Sequence, residues 1–395
     1  MTNNKYIIKN LAPWMIDELI AFSKITKYEI IFLRKQDSFY KEGIQQLSSN
    51  GVGISIEPFA WNNFLKKLAI VIKFVVFNAF KFRPDYNFAI GFKSVLWFVR
   101  LDLSKFSSSS NIHAQFATQA ALVSYLIKQY YNNKPQYSFT FHAHDIYFEN
   151  RWFTLLVNDC HRALSISKYN IKYVKKVYLN NNKIMLARLG VFRDQIKINK
   201  DRTLKENDPQ VFTLGLMSWF VKKKGIIYLL NAMLKLKEMG NNNIRLVLAG
   251  DGPLKDDILN FISQNDLTNS IDYLGKLKKR QKTNFYNSID TFVLPSISLK
   301  NDKDGIPVVL MEAIAYGLPI ISTDVSGIPE ICLDNFNGFL IKEKNVNSIV
   351  KSVLTLNEDY TLRRKFSENS LKVSKDYGIR RNSYEKIKTL DWLVN

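Results

Sequence analysis

Cysteine is nearly missing from the 395 residues: Cys160 and Cys332 are the only two, and they stand far apart. A disulfide framework and a cysteine-rich zinc module are excluded, and the chain reads as cytosolic. Ten prolines and sixteen glycines are too few for a fibrous or low-complexity chain. Long apolar runs are lacking as well. The N-terminal Met-Thr-Asn-Asn-Lys leads into only a few apolar residues before Lys9 and Asn10, which predicts neither a signal peptide nor a membrane span. Neither Gly-x-x-x-x-Gly-Lys-Ser/Thr nor Gly-x-Gly-x-x-Gly occurs, so kinase and hydride-transfer readings have no support.

What is present is a foldable chain long enough for two domains. Apolar residues make up 46% and charged residues 23%, an ordinary balance for a packed protein. Lysine and arginine number 56 against 35 acids, a net charge of +21. Such a surplus favours polyanionic partners: nucleic acid, anionic lipid headgroups or phosphorylated substrates. Residues 61–83 mix aromatic and aliphatic side chains with lysines, and Lys73 and Asn78 interrupt the run. It falls short of the roughly 20 apolar residues of a spanning helix. Three readings stand: a core helix with lysines reaching outward, a helix lying in a membrane surface, or a face covered by a partner chain.

From residue 211 onward, strands alternate with helices. Val211–Met217, Ile244–Ala249, Ile271–Leu274, Thr291–Leu294 and Ile320–Ser322 read as strands. Helices follow Gly225 and run from Val308 to Tyr316. The alternation implies parallel strands with helical crossovers, and Gly or Pro after most strands gathers the loops at their carboxyl ends, where doubly wound domains bind ligands. The first half is noisier: strands at Glu29–Leu33, Tyr137–Phe141 and Ala163–Ser167, and a helix at Ala117–Ile127. The expected layout is an α/β domain over 1–196, a polar linker over 197–209, a second α/β domain over 210–372, and a helical segment over 373–395 able to cross back to the first domain.

Four stretches could carry chemistry. In Asp304-Gly-Ile-Pro-Val-Val-Leu-Met-Glu312, Pro307 suits the first position of a helix, whose free amides around Gly305 and Ile306 would face a phosphate. Asp304 stands before that end and Glu312 about two turns further, placed to bond two sets of sugar hydroxyls; on spacing alone, an ordinary acid and a solvated helix residue fit as well. Lys224, just before Gly225, is a natural diphosphate ligand, or one of three lysines in a solvated turn. His142 and His144, with Asp145, follow a strand; with four histidines in the chain, a metal site is not expected, and His142 reads as a hydrogen-bonding or acid/base residue, or a structural one. Asp302-Lys-Asp304 matches a three-residue metal pattern of another transferase architecture, too short to carry information.

In order and spacing, these pieces resemble glycosyltransferase family 4, a GT-B family of retaining enzymes, from about residue 112 to 341. The resemblance takes in Ile112–Phe116, Phe139–Ile146, Ser165–Tyr169, Arg188–Val191, Lys224-Gly225, Leu248–Pro253, Tyr273–Gly275, Asp304–Pro319, Ser326–Glu330 and Asn337-Gly338. It implies two Rossmann-like, doubly wound domains facing a central cleft. It also implies transfer of a sugar from a nucleotide-sugar donor with retention and without a metal or other cofactor. Lys224 would hold the diphosphate, and Gly305, Ile306 and Pro307 would face phosphate and sugar. Glu312 would bind the ribose, Gly250 and Leu277 would line the nucleotide pocket, and His142 and Asp304 would stand at the reacting sugar. The family usually has Glu where Asp304 stands, and Asp is common there in a subgroup linked to exopolysaccharide and colanic-acid-type assembly. Met217–Phe220 lacks the family's arginine, and Lys9–Pro13 replaces its glycine-rich loop. The expected acceptor is a glycan on a polyprenyl diphosphate, at an anionic membrane, with the protein peripheral on the inner face. A catalytically silent scaffold is the alternative. No nucleic-acid motif accompanies the charge, so nucleic acid is not an expected partner.

Overall fold

The computed structural model describes residues 4–82, 85–107, 110–196, 198 and 211–393, so nearly all of the expected linker lies outside the described residues. The chain divides into two compact units, Met1–Leu189 joined by Ile379–Asn395, and Gly190–Gly378.

The first unit is built on seven strands: β1 (Asn4–Ile8), β2 (Glu29–Phe32), β3 (Gly53–Ile56), β4 (Asn111–Gln115), β5 (Gln136–Phe141), β6 (Ala163–Ser165) and β7 (Ile184–Leu186). All pair in parallel, in the order β3-β2-β1-β4-β5-β6-β7. Side chains alternate along each strand, so both faces can be buried. Ile7, Ile31, Phe139 and Phe141 enter one core with Trp152 and Phe98. Tyr6, Ile8, Ile30 and Phe32 enter another, with Leu19 and Phe22 of helix Pro13–Ser23. Helix Ile379–Thr389 packs on Pro13–Ser23 and adds Ile387 to that second core. Between these helices, Lys386 Nζ stands 3.0 and 3.1 Å from the two carboxylate oxygens of Glu18, and both side chains are buried.

The expected run over 61–83 is a helix only from Phe64 to Phe77, followed by a short turn at Ala79–Lys81. Its lysines are not equivalent. Lys67 lies on the inner face with Val71 and Phe74, and its Nζ donates to the carbonyls of Ala60, Val99 and Leu101 at 2.8–3.1 Å and to Asn62 Oδ1 at 3.2 Å. It ties the helix to the end of helix Tyr86–Arg100, and does not face a headgroup layer. Among the described residues, no helix is long and apolar enough to cross a membrane.

The second unit has six parallel strands, β8 (Phe212–Trp219), β9 (Ile244–Asp251), β10 (Ile271–Tyr273), β11 (Thr291–Leu294), β12 (Ile320–Thr323) and β13 (Gly338–Ile341), in the order β10-β9-β8-β11-β12-β13. The order reverses between β8 and β11, and the loops that follow these two strands therefore diverge around a crevice at their carboxyl ends. Both units are doubly wound α/β, as the residue pattern predicts.

Candidate donor site

The crevice beside β8 and β11 is closed at its base by backbone contact. Gly225 has φ +63°, and a Cβ there would lie 1.9 Å from the Pro295 carbonyl oxygen, so only glycine lets the two loops meet. Ile297 N donates to the Lys223 carbonyl at 2.8 Å and fixes the lysine turn against the loop after β11. At this junction Lys224 Nζ stands 2.7 Å from Asp304 Oδ1, with the aspartate buried and the lysine mostly so. Ser296 Oγ donates to the other Asp304 oxygen at 2.7 Å. Burial alone would push the Asp304 carboxyl up. The Lys224 and Lys223 ammonium groups and the Ser296 hydroxyl outweigh it and hold the group below its ordinary value. Asp304 is therefore ionised at neutral pH.

Asp302 pairs with the neighbouring lysine, Lys223 Nζ, at 2.9 Å. The two aspartates of the Asp-x-Asp stretch thus each hold a lysine. Among the described residues no three His, Cys, Asp or Glu side chains gather as a metal site.

Helix Val308–Ala315 begins directly after this loop, and no side chain caps its first turn. Pro307 does not take the first helical position the sequence predicts. It precedes it, with ψ 130°, so the amides of Val308 and Val309 open the helix. They carry the partial positive charge of a helix start. Glu312, two turns on, is no solvated residue: Lys282 Nζ meets one carboxylate oxygen at 2.9 Å and Tyr286 Oη donates to the other at 2.6 Å. Burial, then the Glu312 charge, push the Tyr286 phenol well above its usual range, so it stays a donor. Tyr286 also stacks on Tyr316, with centroids 4.9 Å apart and planes at 20°. Residue spacing gave no hint of Lys282 or Tyr286, which come from the preceding crossover helix, Lys279–Ser288.

Gly250, next to last in β9, has φ +139°, and a Cβ there would stand 1.9 Å from the Ser218 carbonyl oxygen of β8. Its glycine is thus required by strand packing, whatever binds above it. Leu277 is half-buried in the loop after β10. The segment Met217–Phe220, which lacks the arginine, ends β8 with Ser218 Oγ buried and unpartnered and Trp219 exposed.

His142 belongs to the first unit, just past β5. Tyr6 Oη donates to Gln115 Oε1 at 2.6 Å, which turns the Gln115 amide nitrogen toward His142 Nε2, 2.7 Å away. The contact takes up that ring nitrogen, and the imidazole is neutral. Burial and the Lys386 ammonium push His142 down to about 3, in the same direction. Trp14 and Phe116 flank the ring, each 5.1 Å from its centroid. Asp145 Oδ2 accepts the His142 amide at 2.8 Å, and burial pushes its carboxyl up to about 7 against the backbone donors of His142 and Ala117.

Comparison with known proteins bears on both units. Residues 194–373 match the family model described as glycosyl transferases group 1. An uncharacterized glycosyltransferase of Methanocaldococcus jannaschii is 29% identical over 227 residues, 57% of this chain and 58% of that one. The amylovoran biosynthesis glycosyltransferase AmsK of Erwinia amylovora is 28% identical over 177 residues, 45% of this chain and 42% of that one. The chain thus spans about half the length of these relatives. In structure, Anabaena HepE, solved in complex with UDP and glucose, superposes with a TM-score of 0.72 at 14% identity, covering 99% of this chain and 100% of that one. The fold is that of GT-B glycosyltransferase structures, and the match to the glycosyl transferases group 1 model falls almost wholly on the second unit.

Proposed function

We propose that the protein is a retaining, metal-independent hexosyltransferase of the family 4 type. It moves a sugar from a nucleoside-diphosphate sugar to a glycan acceptor on a polyprenyl diphosphate, in the synthesis of a bacterial surface polysaccharide such as an exopolysaccharide or capsule. The observation that carries the reading is the buried Lys224–Asp304 pair at the strand-order reversal, beside an uncapped helix start. A lysine held by a carboxylate in the loop that leads into a helix start with free amides suits a diphosphate.

In this reading the Lys224 ammonium and the Val308 and Val309 amides that follow Gly305, Ile306 and Pro307 take the charge that grows on the leaving phosphate. The bond from the anomeric carbon to the phosphate oxygen breaks, the bond to the acceptor oxygen forms on the same face, and the acceptor hydroxyl's proton passes to the leaving phosphate oxygen. Glu312, held by Lys282 and Tyr286, accepts from the ribose hydroxyls, while Gly250 and Leu277 border the nucleoside. Asp304 orients Lys224. His142 of the first unit, neutral and occupied at Nε2 by Gln115, does not act as a proton shuttle. The basic surplus suits an anionic membrane at the inner face, where such acceptors are presented. HepE with UDP and glucose, and AmsK by its amylovoran role, support a nucleotide-sugar donor and a polysaccharide product.

The test is to incubate the protein with UDP-, GDP- and ADP-sugars and a polyprenyl-diphosphate glycan, following nucleoside diphosphate release and the anomeric configuration of the product. Transfer with retention is expected. Inversion would remove the mechanism. Folded protein that binds and turns over no donor would favour a silent scaffold, the reading to which the missing arginine at 217–220 points.

A further inference from the structure

The first unit presents an apolar surface spread over two neighbouring helices. Helix Phe64–Phe77 buries Lys67, Val71 and Phe74 and turns Leu65, Ile72 and Val76 outward, 81%, 55% and 66% exposed. Helix Tyr86–Arg100 packs beside it, buries Ile90, Gly91, Ser94 and Phe98, and turns outward Phe88, Phe92 and Leu96, spaced four apart along one stripe. The Phe88 and Phe92 rings lie nearly parallel, with centroids 5.6 Å apart. The inner faces are firmly seated: Phe74 stacks on Trp152 at 5.4 Å, and a Cβ on Gly91 would stand 2.5 Å from the same indole. The outward residues are thus the second face of well-anchored helices. Contiguous exposed apolar surface of this kind marks a site of interaction.

We infer that this two-helix face docks on an anionic lipid bilayer, with both helices lying in the plane of the interface. The inference rests on the membrane part of the reading above and names the surface that part requires. Charge chooses the occupant. Residues 61–100 carry seven Lys or Arg and one acid, Asp85, which Arg151 already engages. Lys67 is withdrawn into the fold, but Lys73 and Lys93 are exposed next to Ile72 and Phe92, where an ammonium reaches the headgroups as its neighbour enters the acyl boundary. A second copy set face to face would oppose cation to cation with no carboxylate to relieve it. Length sets the orientation: helices of 14 and 15 residues extend about 21–23 Å at 1.5 Å per residue, short of the roughly 30 Å of a hydrocarbon core.

The experiment is co-sedimentation of the full chain with vesicles of phosphatidylcholine alone or mixed with phosphatidylglycerol. Wild type, Val76→Glu/Phe92→Glu and Lys73→Glu/Lys93→Glu are compared, each checked for unchanged thermal unfolding and for its shift with nucleoside diphosphates. Strong partition to the anionic vesicles is expected, falling about tenfold or more in each variant. All four positions are exposed, so the substitutions leave the core intact. Wild-type binding by both variants, no binding by folded wild type, or self-association that Val76→Glu/Phe92→Glu abolishes would overturn the inference. A nucleotide shift without vesicle binding sinks the docking face alone. Vesicle binding without any nucleotide shift leaves the face standing and sinks the transferase reading.

Discussion

Replacing Lys224 by alanine should do two things at once, and the structure allows them to be separated. The residue faces Asp304 at 2.7 Å, with side-chain exposures of 14% and 8%. Removing one partner of a buried pair leaves an uncompensated charge and costs about 3–5 kcal/mol. Here Lys223 and the Ser296 hydroxyl remain beside Asp304, so the lower end, about 3 kcal/mol, is the expected loss. A domain of the size of Gly190–Gly378 shifts its Tm by about 2–4 °C per kcal/mol. Lys224→Ala should therefore melt about 6–12 °C below wild type without ligand. The Lys224→Met/Asp304→Asn variant removes both charges and should recover most of that loss. The nucleoside diphosphate that stabilises wild type, by about 2.7 kcal/mol at a hundredfold excess over Kd, should stabilise neither variant. Thermal scans of the three proteins with and without nucleotide make the measurement. A Lys224→Ala protein melting with wild type would refute the buried pair. A variant that keeps its nucleotide shift would refute the phosphate role, and the double variant ensures that neither result reflects an unfolded sample.

Lys386→Met should destabilise the first unit by about 3–5 kcal/mol by stranding the Glu18 carboxylate; denaturant unfolding showing a loss under 1 kcal/mol would contradict it. Gly225→Ala should cost more than the usual φ > 0 penalty of about 1 kcal/mol, because its methyl meets the Pro295 carbonyl; near-wild-type stability together with a wild-type nucleotide shift would show that the two loops do not touch. His142 should show no ring titration by NMR between pH 5 and 8, since its folded value lies about 3. The signs of the linked stability changes follow. With a depressed folded value, His142 withdraws stability as pH falls below its ordinary 6.5. Asp145, raised from 3.8 to about 7, adds stability at low pH that is lost as pH rises through 7. A His142 titration near 6.5 would mean that Gln115 does not hold its Nε2.

The second unit was legible because glycine and proline punctuate it: Thr291–Leu294 matches β11 residue for residue, and the other expected strands end within two residues of the observed ones. The first unit hid its order. Asn4–Ile8 begins with two polar residues yet forms a strand paired on both sides. Gly53–Ile56 is a half-exposed edge strand with little apolar signal. Lys67 was readable in principle: with Val71, Phe74 and Asn78 it follows the inner-face spacing of a helix, but a lysine on that face finds its carbonyls in a segment some thirty residues away. The partners of Glu312 were beyond reach for the same reason, because a helix pattern does not say which crossover packs on which. Gln115 falls in the Ile112–Phe116 stretch of the resemblance, but nothing in its spacing shows that it meets His142.

The return of helix Ile379–Thr389 to the first unit has a consequence for biosynthesis. As the chain leaves the ribosome, the first sheet can pair and close one of its faces. Glu18 and the apolar residues around Leu19 and Phe22 must wait through the whole of Gly190–Gly378 for Lys386 and Ile387. The domain synthesised first is thus the one finished last, and the second can fold to completion while the first is still open. A premature stop near residue 378 would spare the later-made domain and harm the earlier one, leaving it with an exposed apolar seam for chaperones and proteases to recognise.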